Sequence, residues 1–106
     1  MPKYLLEVTY TAEGVKGLLK DGGSKRRAAA RGLVESLGGK LDAIYYAFGS
    51  RDAFAIVDLP DNAAAAAASL TLGASGAVSS KTTVLLTPEE IDQAVKKGGS
   101  YTPPGR

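Results

Sequence analysis

The sequence contains no cysteine and no histidine. Without cysteine, the chain has no disulfide bond, no thiolate nucleophile and no cysteine ligands for zinc or an iron–sulfur cluster. Without histidine, it lacks the most common general base and the most common metal ligand. The carboxylates are scattered along the chain, apart from Glu89 and Glu90 at a predicted helix start. We therefore expect no metal site and no cofactor.

A strong excess of one charge and a long apolar run are also missing. Thirteen basic and eleven acidic residues give a net charge of +2, which is too small to indicate binding to nucleic acid or to a membrane surface. No segment approaches the roughly 20 apolar residues that span a bilayer, and the N-terminus has no apolar signal-peptide core. These features predict a soluble, cytoplasmic protein that binds neither nucleic acid nor membrane.

The sequence does contain a regular series of strand and helix patterns, in a chain of 106 residues that is long enough for one domain. Alternation of apolar and polar residues predicts strands over 3–10, 40–48, 53–58 and 77–86. Helical spacing predicts helices over about 12–37, 63–72 and 88–97. Gly22 and Gly23 interrupt the first helix, and Ser24 can cap its second half. Thr87 and Glu90 form the start signal of the last helix.

This order of elements predicts an α+β fold of the ferredoxin-like βαββαβ type, with a short C-terminal helix. The four-stranded antiparallel sheet carries both main helices on one face, and we expect Tyr4, Leu6, Val8 and Tyr10 to share that face. The domain spans residues 1–97, and the Gly- and Pro-rich residues 98–106 form a tail. Because this chain leaves the other sheet face uncovered, we expect a homodimer or a larger assembly.

Several short motifs are spread along the chain in the pattern of a known family. They are Tyr4–Tyr10, Gly22-Gly23-Ser24 with Arg27, Gly38-Gly39-Lys40-Leu41 with Tyr45 and Phe48-Gly49, Leu59-Pro60-Asp61, Ser75-Gly76 and Thr87-Pro88-Glu89-Glu90. Over roughly residues 3–95 the sequence resembles the GYD-domain family. It departs from the family's Gly-Tyr-Asp motif at Arg51, which stands where a tyrosine would precede Asp52. The resemblance implies a dimeric α+β barrel, in which two sheets pack through their open faces, and implies no specific activity.

The first candidate ligand site lies on the open sheet face, near the loop over 49–52. Strand alternation lets several polar residues converge there: Glu7, Tyr45 or Tyr46, Arg51, Asp52 and Lys81. A carboxylate, a phenol and a cation in one pocket would suit acid–base work on a small molecule. The alternative is structural. In that case the tyrosines cover an interface, the charges pair, and Asp52 fixes the turn by accepting hydrogen bonds from backbone N–H groups.

The second candidate is an anion site at Gly22, Gly23, Ser24 and Arg27. Glycines in front of a capped helix leave backbone N–H groups free to bind an anion, and nearby cations would strengthen the binding. The spacing does not match the established phosphate-binding loop. The alternative is therefore a plain helix break beside solvated arginines.

Two functions remain open at this point. The first is a small-molecule-binding or regulatory module that acts as a homo-oligomer. The second is a cofactor-free enzyme, of the monooxygenase or isomerase type, with a pocket in the dimer barrel. The sequence has neither histidine nor tryptophan for such a pocket, and this favours the first hypothesis.

Overall fold

A computed structural model describes all 106 residues of the chain. In chain order the elements are β1 (Lys3–Tyr10), α1 (Ala12–Ser36), β2 (Lys40–Tyr46), β3 (Ala53–Asp58), α2 (Asn62–Ala74), β4 (Val78–Leu85) and α3 (Pro88–Lys97). Every predicted element is present, with bounds that differ from the prediction by at most two residues. No helix is both long enough and apolar enough to cross a membrane.

The four strands form one sheet in the order β2-β3-β1-β4, and each neighbouring pair is antiparallel. This strand order confirms the predicted ferredoxin-like fold. The core lies between the sheet and the helices. Tyr4 and Leu6 of β1 are 1% and 4% exposed and pack with Val34 of α1 and Ala65 of α2. The predicted helix-facing side of β1 is therefore correct.

Strand β2 contains one extra residue, Asp42, that has no partner on β3. Leu41 pairs with Val57, and the next paired residue of β2 lies two positions along the chain. Such a β-bulge reverses the sides to which the following residues point. As a result, Tyr46 lies on the helix side of the sheet and Tyr45 lies on the open side.

Helix α1 is held at both ends by glycines that contact backbone directly. A Cβ atom on Gly14 would stand 2.0 Å from the carbonyl oxygen of Ala77, and one on Gly39 would stand 2.1 Å from that of Asp58. Between these contacts Gly22 takes φ 78° and ψ 168°, which kinks the helix. The predicted glycine break is confirmed, but the helix resumes directly after Gly22. Ser24 therefore lies within the helix and does not cap it.

Helix α3 projects from the rest of the molecule. Its start has a complete capping box between Thr87 and Glu90, as predicted. None of its residues is buried, and the side chains of Ile91 and Val95 are largely exposed. With α3 and the mostly exposed residues 98–106 included, the molecule is 58 Å long and has a radius of gyration of 16.9 Å, whereas a compact chain of this size has a radius of about 13 Å.

Candidate functional site

A cavity of about 430 Å³ lies between the two main helices and the sheet. We refer to it as the helix–sheet cavity. Nineteen residues line it, and sixteen of them are apolar. Val8 and Tyr10 of β1 contribute to the sheet side, Ala30 and Leu33 of α1 to one helix side, and Leu72 of α2 to the other. The cavity thus lies on the sheet face that the sequence predicts the two main helices to cover.

The cavity exists because small side chains face each other across this layer. Ala53 and Ala55 lie on the helix side of β3, and Ala29 and Ala30 lie on α1, and all four line the cavity. Methyl groups leave space that the larger apolar side chains of an ordinary core would fill. Close approach to the backbone is confined to Gly14 near the start of α1 and to Gly39 just after its end, and the cavity lies between these two contacts.

A few polar groups lie among the apolar lining. They belong to Tyr10 and Tyr46 on the sheet, Arg26 on α1, Thr71 on α2, and Ser75 at the C-terminal cap of α2. Arg26 is the one charged residue in the lining. A mainly apolar pocket with a small number of polar groups is the usual form of a small-molecule site.

Tyr46 has the most perturbed phenol of the cavity. Burial, reinforced by the neighbouring Tyr10 phenol, raises the pKa of Tyr46 to about 12, against an opposing effect of Arg26 and Arg27. The phenol is therefore protonated at neutral pH. A protonated phenol can donate its one hydrogen bond to a bound molecule in place of its neighbour Tyr10.

Sequence reasoning missed this cavity, although two signals for it are present. The alternation in β3 places Ala53 and Ala55 on the same face as Val57, and α1 carries consecutive alanines at 28–30. Facing stretches of alanine on two packed layers indicate either close approach or a space. Only the structure distinguishes these outcomes.

The open sheet face carries part of the site that the sequence predicts. Glu7 of β1 lies opposite Phe54 of β3 on one side and Lys81 of β4 on the other. Tyr45 lies opposite Phe54 from the other edge and is 71% exposed. Glu7, Tyr45 and Lys81 therefore share one face. Of the predicted ligand-binding residues Glu7, Tyr45, Arg51 and Asp52, only Tyr45 lines one of the three main cavities.

Two of the predicted residues make contacts at the loop between β2 and β3. The Arg51 guanidinium donates to the Thr9 hydroxyl at 3.4 Å. The Asp52 carboxylate accepts from the backbone N–H of Tyr10 at 2.8 Å, and the Asp52 N–H donates to the Val8 carbonyl at 2.8 Å. Asp52 thus has the turn-fixing contacts of the structural alternative. A ligand at these four residues stays a prediction.

The residues of the predicted anion site are dispersed along α1. Gly22 forms the kink, Gly23 approaches the Tyr46 ring, and Arg27 lines a separate groove of about 270 Å³ beside β2. Arg31 and Tyr45 also line that groove. Anion binding at Gly22, Gly23, Ser24 and Arg27 stays a prediction.

A cluster of charges at the ends of β1, β2 and β3 was not expected from the sequence. The Lys3 ammonium donates to Asp42, the bulge residue, and to Asp58 at 2.8 Å. The hydrogen bond from Lys3 lowers the pKa of the Asp42 carboxyl, and the bonds to Asp42 and Asp58 raise the pKa of Lys3. No group of three or more Asp and Glu side chains is arranged to hold a metal ion.

Comparison with known families matches residues 4–95 to the model described as the GYD domain. The chain belongs to the GYD-domain family. Neither a search of curated proteins nor a search of solved structures finds a match. Membership accounts for the fold of this GYD domain and names no activity, so a functional argument has to rest on the helix–sheet cavity and on the open sheet face.

Proposed function

We propose that this GYD domain is a binding module for a small, largely apolar molecule that occupies the helix–sheet cavity. The single observation that supports the proposal is the cavity itself. Its volume of about 430 Å³ falls within the range of roughly 300–1,000 Å³ that is typical of small-molecule sites. A molecule in this space would restore the contacts that the facing alanines leave unmade.

The polar groups of the cavity favour binding over catalysis. The Tyr46 phenol is protonated at neutral pH because its pKa is raised to about 12. Arg26 is permanently charged. The pKa of neither group lies near neutral pH, where a general acid–base catalyst works best. The cofactor-free enzyme of the sequence analysis therefore has no specific support in the helix–sheet cavity.

A neutral apolar fluorophore, N-phenyl-1-naphthylamine, tests the proposal on the purified chain. We expect saturable fluorescence enhancement with the wild type. Ala30→Leu fills part of the cavity and is expected to weaken binding at least five-fold. Ala28→Leu is the matched control, since Ala28 is exposed on the same helix and does not line the cavity. No enhancement with the wild type, or equal binding by both variants, would contradict the proposal.

The module is further proposed to act as a homodimer, with a second copy on the open sheet face. Leu5, Phe54 and Ile56 form an apolar strip there, and Glu7 and Lys81 supply opposite charges beside it. Viewed face-on, four strands of about eight residues cover roughly 500 Å², and the projecting side chains add to this area. This is the scale of the roughly 800 Å² that each partner contributes to a standard interface. Cytoplasmic localisation stays a prediction from the sequence.

A further inference from the structure

The charge of the helix–sheet cavity has one sign only. Arg26 is the sole charged residue among the nineteen that line it, and no acidic residue does so. The remaining polar groups are neutral hydroxyls, of which that of Ser75 already donates to the Leu72 carbonyl at 2.6 Å. The apolar interior and the cationic group thus present different chemistries to a bound molecule.

Arg26 has most of its hydrogen-bonding capacity unused. Its one ion pair is with Asp21, at 3.7 Å and across the kink at Gly22. A guanidinium has five N–H donors in a planar fork, and a single contact of this length occupies few of them. The Arg26 side chain is 38% exposed, and a side chain of this kind packs its apolar stem on the protein while its charged head remains able to bind a ligand.

Tyr46 lies within the electrostatic reach of Arg26. The positive charges of Arg26 and Arg27 act on the Tyr46 phenol and oppose the rise of its pKa. The ring of Tyr46 also approaches Gly23, one helical turn before Arg26. A permanent cation and a protonated phenol are therefore close together at the same cavity.

Resting on the function proposed above, we propose that the ligand is an apolar molecule with a carboxylate at one end. The Arg26 guanidinium receives the carboxylate, and the Tyr46 hydroxyl donates a second hydrogen bond to it. The apolar part of the ligand lies among the alanine and leucine side chains. An arginine fork matches the two oxygens of a carboxylate, and such charge-assisted hydrogen bonds are about twice as strong as neutral ones.

Three eight-carbon probes test whether the head group or the apolar chain of a ligand determines its affinity. Octanoate, octanol and octylamine share the apolar chain and differ in charge, and each is titrated calorimetrically into the wild-type protein at pH 7. We expect octanoate to bind at least ten-fold more tightly than octanol, and octylamine to bind more weakly than both. If octanol matches octanoate, or if octylamine binds most tightly, the carboxylate proposal is wrong while the binding function stands. If none of the three binds, the binding function itself fails.

Variants of the protein test which side chains cause the preference for octanoate over octanol. Arg26→Gln is expected to reduce octanoate affinity to that of octanol, and Tyr46→Phe to reduce the preference several-fold while octanol binding is kept. Arg26→Lys keeps the charge without the fork and should retain part of the preference. Lys25→Gln is the matched control because it removes one positive charge from an exposed neighbour that does not line the cavity. An unchanged preference in both Arg26→Gln and Tyr46→Phe would overturn the assignment.

Discussion

Glu7 and Lys81 lie directly opposite each other on β1 and β4, yet they are not among the ion pairs of the chain. Both side chains lie on the sheet face that no helix covers. In water, an exposed ion pair of this kind contributes at most about 1 kcal/mol to the stability of the fold, so the fold loses little when the two charges stay apart. A second copy on this face would remove the water and make the pairing of Glu7 important.

Glu7→Gln therefore separates the two candidate locations of function. We expect the variant to weaken the dimer, because a buried Lys81 would lose its partner, and to leave octanoate binding unchanged, because the helix–sheet cavity is on the other side of the sheet. Dimer dissociation by sedimentation and calorimetric titration measure the two effects. The ligand site predicted at Glu7, Tyr45, Arg51 and Asp52 requires the reverse: an intact dimer and lost capture of a bound metabolite, detected by mass spectrometry.

Ile56→Lys tests the dimer directly. Ile56 lies in the middle of the open face, opposite Leu5, and is 36% exposed in the single chain. We expect the wild type to sediment as a dimer at micromolar concentration and the variant to sediment as a monomer, because a lysine there would be buried without a partner. Leu70→Lys is the control, since Leu70 is 73% exposed on α2. A monomeric wild type would refute the proposal.

Leu6→Ala and Val8→Ala should destabilise the fold to different degrees. Both side chains line the helix–sheet cavity, but Leu6 is 4% exposed whereas Val8 is only partly buried. Truncation of Leu6 removes more buried carbon and is expected to cost about 2–4 kcal/mol, and truncation of Val8 should cost about 1 kcal/mol. Urea unfolding gives both values, with Val95→Ala on exposed α3 as a control. Equal losses for Leu6 and Val8 would contradict the packing described.

The Lys3 cluster gives a pH dependence of stability. Because Lys3 lowers the pKa of Asp42 in the folded chain, the charged carboxylate stabilises the fold above about pH 4, the unfolded value. This contribution is lost as the pH falls through the lowered pKa. The raised pKa of Lys3 has the opposite consequence: its contribution is lost as the pH rises through that value, in the alkaline range.

Chemical unfolding of the wild type and Asp42→Asn measures this effect between pH 2 and pH 7. We expect the difference in unfolding free energy to be constant near neutral pH and to shrink under acid conditions. High salt should reduce it, since both groups are exposed. Asp92→Asn on α3 removes a carboxylate that has no ion pair and should show no such dependence. A difference that grows as the pH falls would show that the sign is wrong.

Local signals account for the parts of the fold that the sequence predicts. The capping box at Thr87 and Glu90, the glycine kink in α1 and the alternation in β1 each depend on a few neighbouring residues. The side of the sheet on which Tyr46 lies does not depend on neighbouring residues alone. It depends on the bulge at Asp42, whose stabilising partner Lys3 is 39 residues away in the chain. Likewise, the helix–sheet cavity depends on the distance between two layers, which the alanines at 28–30, 53 and 55 do not determine by themselves.

Helix α3 has a thermodynamic consequence of its own. None of its ten residues is buried, so its helical population depends mainly on the hydrogen bonds of Thr87 and Glu90 and on the charges at its two ends. A free helix of this length is only marginally populated in water. We therefore expect the amide protons of α3 to exchange with solvent through local fraying, whereas those of β1 exchange only when the whole sheet opens. We expect the chain to behave as a cooperative domain joined to a segment in helix–coil equilibrium, whose melting changes the stability of the domain little.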